Sequence, residues 1–176
     1  MKPKSPLARI ALRNGLVAAC LAISMMLILY YNGDSHPLLI NPFFDFRIVL
    51  FGIFIFFTLK EFRDQYNEGV LYFWQGMIGS YVFVAAFGLL CGLFIMVFGY
   101  LQESFISDYV QESVARIKSI PEFVEKIGKD DFERNFEQAT STNGYRLAIW
   151  YFGWSLIMTL FIGTIISVVL RKQPKN

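Results

Sequence analysis

Charge is scarce in this chain. Of 176 residues only 17% are Asp, Glu, Lys or Arg, against about 25% in soluble domains. The formal net charge of +2 leaves no basic footprint for nucleic acid. Two cysteines, Cys20 and Cys91, both fall inside apolar runs, where small buried hydrophobes are expected rather than a disulfide or metal pair. One histidine, His36, stands beside Pro37 with no Cys or carboxylate at ligand spacing, so no zinc site is expected. Ser24, Ser80, Ser155 and Ser167 have no neighbouring base to activate a nucleophile. A glycine-rich phosphate loop and a dinucleotide fingerprint are both missing. These absences predict a protein that is not an enzyme and carries no cofactor.

Apolar length takes the place of charge. Hydrophobic residues make up 55% of the chain and aromatics 18%, and the mean hydropathy is +0.46. From Gly69 to Gln102 no Asp, Glu, Lys, Arg or His occurs in 34 residues. At about 1.5 Å per residue that is roughly 50 Å of helix, longer than the roughly 30 Å hydrocarbon core of a bilayer. The chain therefore reads as an integral membrane protein.

The predicted fold is all-α with four transmembrane helices, at about 10–31, 43–60, 70–101 and 146–170, in one domain over 1–176. The second is the weakest, because Ile48–Leu59 gives only 12 uncharged residues. Arg47 and Asp45 at one end and Lys60 at the other are read as snorkelling to the headgroups. Parity supports it. Four spans put Lys2, Lys4, Arg9, Arg13, Lys60, Arg63, Arg171, Lys172 and Lys175 on one side, while Asn32–Asp45 opposite has no Lys or Arg. The positive-inside rule then places both termini in the cytoplasm. The basic N-terminus resembles a signal peptide, and Val17-Ala-Ala-Cys20 a lipoprotein box. The run before Cys20 is too short for either, and the apolar stretch continues to Tyr31, so an uncleaved first span is expected.

Residues 102–144 form the predicted outer, periplasmic lobe. Nine acids against five bases give it a balance of −4 in an otherwise basic chain. Phe105, Tyr109, Val110, Val114 and Ile117 recur at helical spacing, predicting a helical extension of the third span. Ser119-Ile-Pro121 breaks it. A second set, Phe123, Val124 and Ile127, stops at Gly128; a third, Phe132 and Phe136, ends at the Thr140–Gly144 turn. Asp130, Asp131 and Glu133 are the candidate partner-facing residues of the lobe. The charged hairpin Lys60–Gly69 is a second surface, read mainly as a hydrated turn.

Inside the bilayer the stronger signal is helix packing. Ser155, Thr159, Gly163 and Ser167 recur every four residues, one small-residue stripe on one helix face. Gly88 and Gly92 mark the third span, and Gly15, Ala18, Ala19 and Ala22 the first. Small residues let backbones approach where no hydrophobic drive acts. Packing within one bundle is the plainer reading and a partner interface the sharper one. Tyr30-Tyr31, Tyr72–Trp74 and Trp150, Tyr151, Trp154 sit at predicted interfaces, as aromatic belts do.

The span order, Asn41-Pro42 before the second span, Leu59-Lys-Glu-Phe-Arg63, and Glu68-Gly-Val-Leu-Tyr-Phe-Trp-Gln-Gly76 together resemble the bacterial membrane family known as domain of unknown function 4199, found mainly in Bacteroidota. Trp74 departs from the pattern, standing where a glycine is expected. The resemblance implies four-span topology and a bacterial inner-membrane location, and carries no activity. The expected function is a non-enzymatic subunit, scaffold or accessory factor of a membrane complex, with the lipid bilayer and a membrane protein complex or a homo-oligomer as partners. The alternative is a small oligomeric channel or carrier, in which Gln75, Ser80 and the Ser155–Ser167 stripe would line a shared cavity.

Overall fold

The long uncharged runs become long helices. The computed structural model describes residues 6–40, 45–118 and 129–172, with the backbone alone for 129–133 and 135. Helix α1 is Pro6–Asn32, α2 is Phe46–Glu61, α3 is Phe73–Leu101, α4 is Glu103–Lys118, α5 is Lys129–Thr140 and α6 is Gly144–Leu170. No strand occurs among the described residues. Three helices, α1, α3 and α6, are long and apolar enough to cross a bilayer, which makes this a multi-pass membrane protein. Helix α2, with 16 residues, is roughly 24 Å long. The readings placed on Ser119–Gly128, Asn41-Pro42, Lys2, Lys4 and Lys175 lie outside the described residues.

Helix α3 stands at the centre, packed on α1, α2 and α6. Glycines set how closely. A Cβ on Gly15 of α1 would sit 2.5 Å from the Phe83 carbonyl oxygen of α3 and 3.0 Å from the Ala86 Cβ. Ala11, Ala18, Ala19 and Ala22 fill the rest of that seam at zero exposure. On the other side of α3, Gly76 lies against Ser167 and Gly88 against the Phe152 ring, and a Cβ on Gly163 would sit 2.8 Å from the Ser80 Cβ. Such approaches favour dispersion between backbones, the main attraction left to helices in lipid.

Polar contacts clamp the short helix α2 at both ends. At one end Arg13 of α1 pairs with Glu61 at 2.5 Å, and the Asn14 amide donates to the Thr58 hydroxyl at 2.9 Å. At the other, Asp45 caps the helix by accepting from the Arg47 N–H at 2.9 Å. Beyond Glu61 the chain runs through a π-helical turn, Phe62–Tyr66, and reverses at Glu68 and Gly69, both at positive φ. Leu71 and Lys172 then exchange backbone hydrogen bonds of 2.9 and 3.1 Å, tying this hairpin to the end of α6.

The helical extension expected of the third span is a separate element. Gln102, at φ −118° and ψ 89°, ends α3, and α4 folds back so that Ile106 covers Gly99. Its buried side is Phe105 and Ser113, with Tyr109 packed on the core. Phe105, Tyr109 and Ser113 follow one another at i, i+4 and i+8.

Candidate functional site

Asp45 and Arg47 are the two charged residues that the fold buries, at 9% and 7% exposure among the described residues. Arg47 was expected to reach the headgroups and does the opposite. Its side chain turns inward because a carboxylate and three α6 groups await it. Nε donates to Asp45 Oδ2 at 2.8 Å, and Nη2 pairs with the same oxygen. Nη1 donates to the Tyr151 carbonyl at 3.3 Å and the Ser155 hydroxyl at 3.1 Å, while the guanidinium carbon sits 4.1 Å from the centre of the Tyr151 ring. Ser155 in turn donates to the Tyr151 carbonyl at 2.8 Å. Arginine suits this place, since its planar fork satisfies a carboxylate and stacks on an aromatic face together. Ser155 lies roughly 16 Å along α6 from its first residue. The pair therefore sits at the bottom of a notch left because α2 is shorter than its neighbours.

That notch is a cavity of about 160 Å³, with Asp45 and Arg47 on its floor and Trp150, Trp154 and Tyr109 among its walls. Pro37, Leu38 and Ile40 close its remaining side. Tyr109, Leu147 and Trp150 also line an adjoining groove of about 690 Å³ between α4, α5 and the start of α6. Arg116 and Arg146 lie along that groove, and among the described residues no acid does.

The wall formed by Pro37–Leu39, a short 3₁₀ turn, is fastened to α4 through His36. The ring is 5% exposed and both its nitrogens are engaged. Nε2 lies 3.1 Å from the Phe105 carbonyl, and Nδ1 accepts the Leu38 N–H at 3.3 Å. These partners assign the proton to Nε2. The His36 N–H donates to Glu112 at 2.6 Å, and Arg116 donates to the Leu39 carbonyl at 2.6 Å and to Glu112 at 2.7 Å. Tyr30 of α1 closes the cluster, its hydroxyl 2.9 Å from Ser104 and 3.2 Å from Asp108. Burial pushes the His36 imidazole below its ordinary value, against the smaller upward pull of the Phe105 carbonyl, Glu112 and Asp108. Burial also pushes the Glu112 carboxyl up, but hydrogen bonds from the His36 N–H and Arg116 outweigh it and hold it below its ordinary value.

The residues singled out in the sequence fall differently. Ser155, Thr159 and Ser167 are fully buried. Gly163 and Ser167 face α3 at Ser80 and Gly76, and Ser155 holds Arg47. Gly88 and Gly92 face Phe152 and Ala148 of α6. Gln75, considered as a polar group at depth, accepts the Tyr72 N–H at 3.1 Å and so caps α3. Neither it nor the stripe lines the notch or the groove. Trp74, at 58% exposure, points away from the bundle, so the missing glycine there opens no packing gap. Asp130, Asp131 and Glu133 lie on the backbone of α5, with their side chains outside the described residues. Sequence reading passed over His36 as a site and gave Asp45 and Arg47 to the headgroups. Opposite charges two residues apart at a helix start did signal a local pair, but nothing local signalled Phe105, Tyr151 or Ser155.

Among the described residues, no three His, Cys, Asp or Glu side chains gather as a metal would require. No curated protein and no solved structure matches the chain. Residues 13–172 match the family described as Protein of unknown function (DUF4199), and the chain belongs to that family.

Proposed function

We propose that this protein is a non-enzymatic accessory subunit or scaffold of a bacterial inner-membrane complex, and that it engages its partner through the notch and groove at the α4–α5 end. One observation carries the reading: an ion pair, Asp45–Arg47, kept buried on the floor of a notch that adjoins the groove. Ionisable groups at bilayer depth are expensive and mark working sites by default. The small-residue stripe, by contrast, is taken up within the chain by α3, which leaves the lobe end as the surface free to work.

In this reading α2 is the fourth span. Its clamps at Glu61 and Thr58 meet α1 near the latter's start, and the Asp45–Arg47 end meets α6 near its own. The basic residues of both chain ends and of the Lys60–Arg63 segment then share the cytoplasmic side, and the lobe lies outside.

The test is mild-detergent affinity purification from the native host, with mass and co-purifying proteins identified together. A stoichiometric partner is expected. Trp150→Ala in the groove wall, and charge reversal at Asp130, Asp131 and Glu133, should each lower its recovery at unchanged membrane abundance. A chain recovered alone or only with copies of itself overturns the reading.

A further inference from the structure

The turn that walls the notch is tied to α4 by the His36 N–H to Glu112, by Arg116 to the Leu39 carbonyl, and by one titratable ring that works in only one protonation state. With Nε2 donating to the Phe105 carbonyl, Nδ1 is free to accept the Leu38 N–H, and that bond caps the Pro37–Leu39 turn. A proton added at Nδ1 sets two N–H groups facing one another. The cap is lost, and a cation is left in a pocket of rings: Phe105 at 4.7 Å, Tyr109 at 5.4 Å and Tyr30 at 5.9 Å between centroids.

We propose that the His36 turn is a proton-released lid over the Asp45–Arg47 notch, shut against α4 while His36 is neutral and opened by acid on the lobe side. Its use as a control on partner access rests on the proposed function. The switch itself does not.

The surrounding charges supply a second resting place for the cation. From α4, Asp108 and Glu112 face the ring and attract it once charged, Arg116 sits behind Glu112, and Tyr109 is uncharged; from α1, Tyr30 is uncharged too. An imidazolium that leaves Phe105 and Leu38 for these carboxylates competes with the His36 N–H and Arg116 for Glu112. It so loosens the tie that Arg116 makes to Leu39, and with it Pro37, Leu38 and Ile40, the lid side of the cavity. Burial, which favours the neutral ring, keeps the lid shut at neutral pH. Opening begins below His36's ordinary value, about 6.5.

His36 is the chain's one histidine, so its ring signals need no assignment provided the purification tag contains no histidine. In lipid nanodiscs of the full chain, the ring is titrated by NMR between pH 8 and 5. Hydrogen exchange of the 33–40 peptide is followed over the same range, corrected for intrinsic rates. Protection of 33–40 should fall at least tenfold by pH 5, with a midpoint matching the ring's, while α3 peptides hold. His36→Gln, which keeps a donor for Phe105 and cannot titrate in this range, should show no such step. Glu112→Gln should leave a step in place, which separates the ring from the carboxylates. Flat protection in the native chain, midpoints that disagree, or an equal step in His36→Gln each overturn the lid. Because the chain is measured alone, a failed partner search leaves the lid standing, and a flat profile leaves the subunit reading standing. If His36→Gln does not fold, agreement of the two native midpoints still decides.

Discussion

Arg47 and Ser155 are 108 residues apart in the chain and 3.1 Å apart in the fold. That bond joins the first turn of α2 to the first residue of the small-residue stripe of α6. It explains why Ser155 is a serine and not another glycine or alanine: the arginine needs an oxygen there. It also fixes how deep α2 sits.

Breaking the pair from one side leaves a lone charge in the interior. Arg47→Met and Asp45→Asn should each cost about 3–5 kcal/mol, and the double replacement less than the sum of the two. Thermal unfolding in one detergent reads this directly. If Arg47→Met melts with the native chain, the pair does not anchor α2.

Glycine positions separate by their surroundings. Gly15→Ala drives a methyl into the Phe83 carbonyl and the Ala86 side chain, and overpacking of this kind costs about 1–3 kcal/mol. Gly153 has nothing within 4 Å of the added carbon, so Gly153→Ala should be neutral or stabilising through helix propensity. Equal melting shifts for the two would show that α1 and α3 do not approach as described.

Thr159 is fully buried, and its hydroxyl has no hydrogen-bond partner among the described residues. An unpaired buried polar group costs about 1–3 kcal/mol. Thr159→Val, which keeps the shape and removes the hydroxyl, should therefore hold or raise the melting temperature, while Ser155→Ala, which takes an acceptor from Arg47, should lower it. A fall with Thr159→Val larger than that with Ser155→Ala contradicts the assignment.

Acid should destabilise the chain in two stages. His36 is depressed in the fold, so its contribution is complete above about pH 6.5 and is lost as the pH falls from there. Glu112 is depressed too, so its contribution is complete above about 4.5 and is lost in stronger acid. Both signs run the same way: the native state binds fewer protons than the unfolded chain. Melting followed from pH 8 to 4 should fall in both windows, with His36→Gln removing the upper stage and Glu112→Gln reducing the lower, to which Asp64 beside Arg63 also contributes. A single stage in the native chain rejects one of the two roles.

Single cysteines at Ser155, Thr159 and Gly163, in a chain without Cys20 and Cys91, should stay unlabelled by a water-soluble thiol reagent, whereas one at Tyr145, 60% exposed, should react. Periodic labelling down the stripe would instead favour an aqueous path between copies.

Membrane residence, the helical class and the three long helices were legible because a bilayer imposes one-dimensional rules. Backbone groups must bond within their own segment, and apolar length must match a fixed thickness. The seams were legible as well, since Gly15, Gly88, Gly163 and their neighbours are small at helical spacing, and size is a property of the residue alone. Which helix each seam meets was not written there. That the stripe of α6 closes on α3 followed only once the chain had folded.

The site shows the same division more sharply. Asp45 and Arg47 carry their mutual attraction in the sequence, two residues apart at a helix start. Whether an arginine at such a boundary points outward to water or inward depends on what the interior offers, and the offer came from Tyr151 and Ser155, a hundred residues on. His36 is likewise one ring in a short loop until Phe105, 69 positions away, supplies the acceptor that sets its proton. The chain's own order determined where it could cross a membrane, because hydrophobicity and length act locally. Tertiary structure decided what its few charges do, because a buried charge is governed by partners that only folding brings within hydrogen-bond distance.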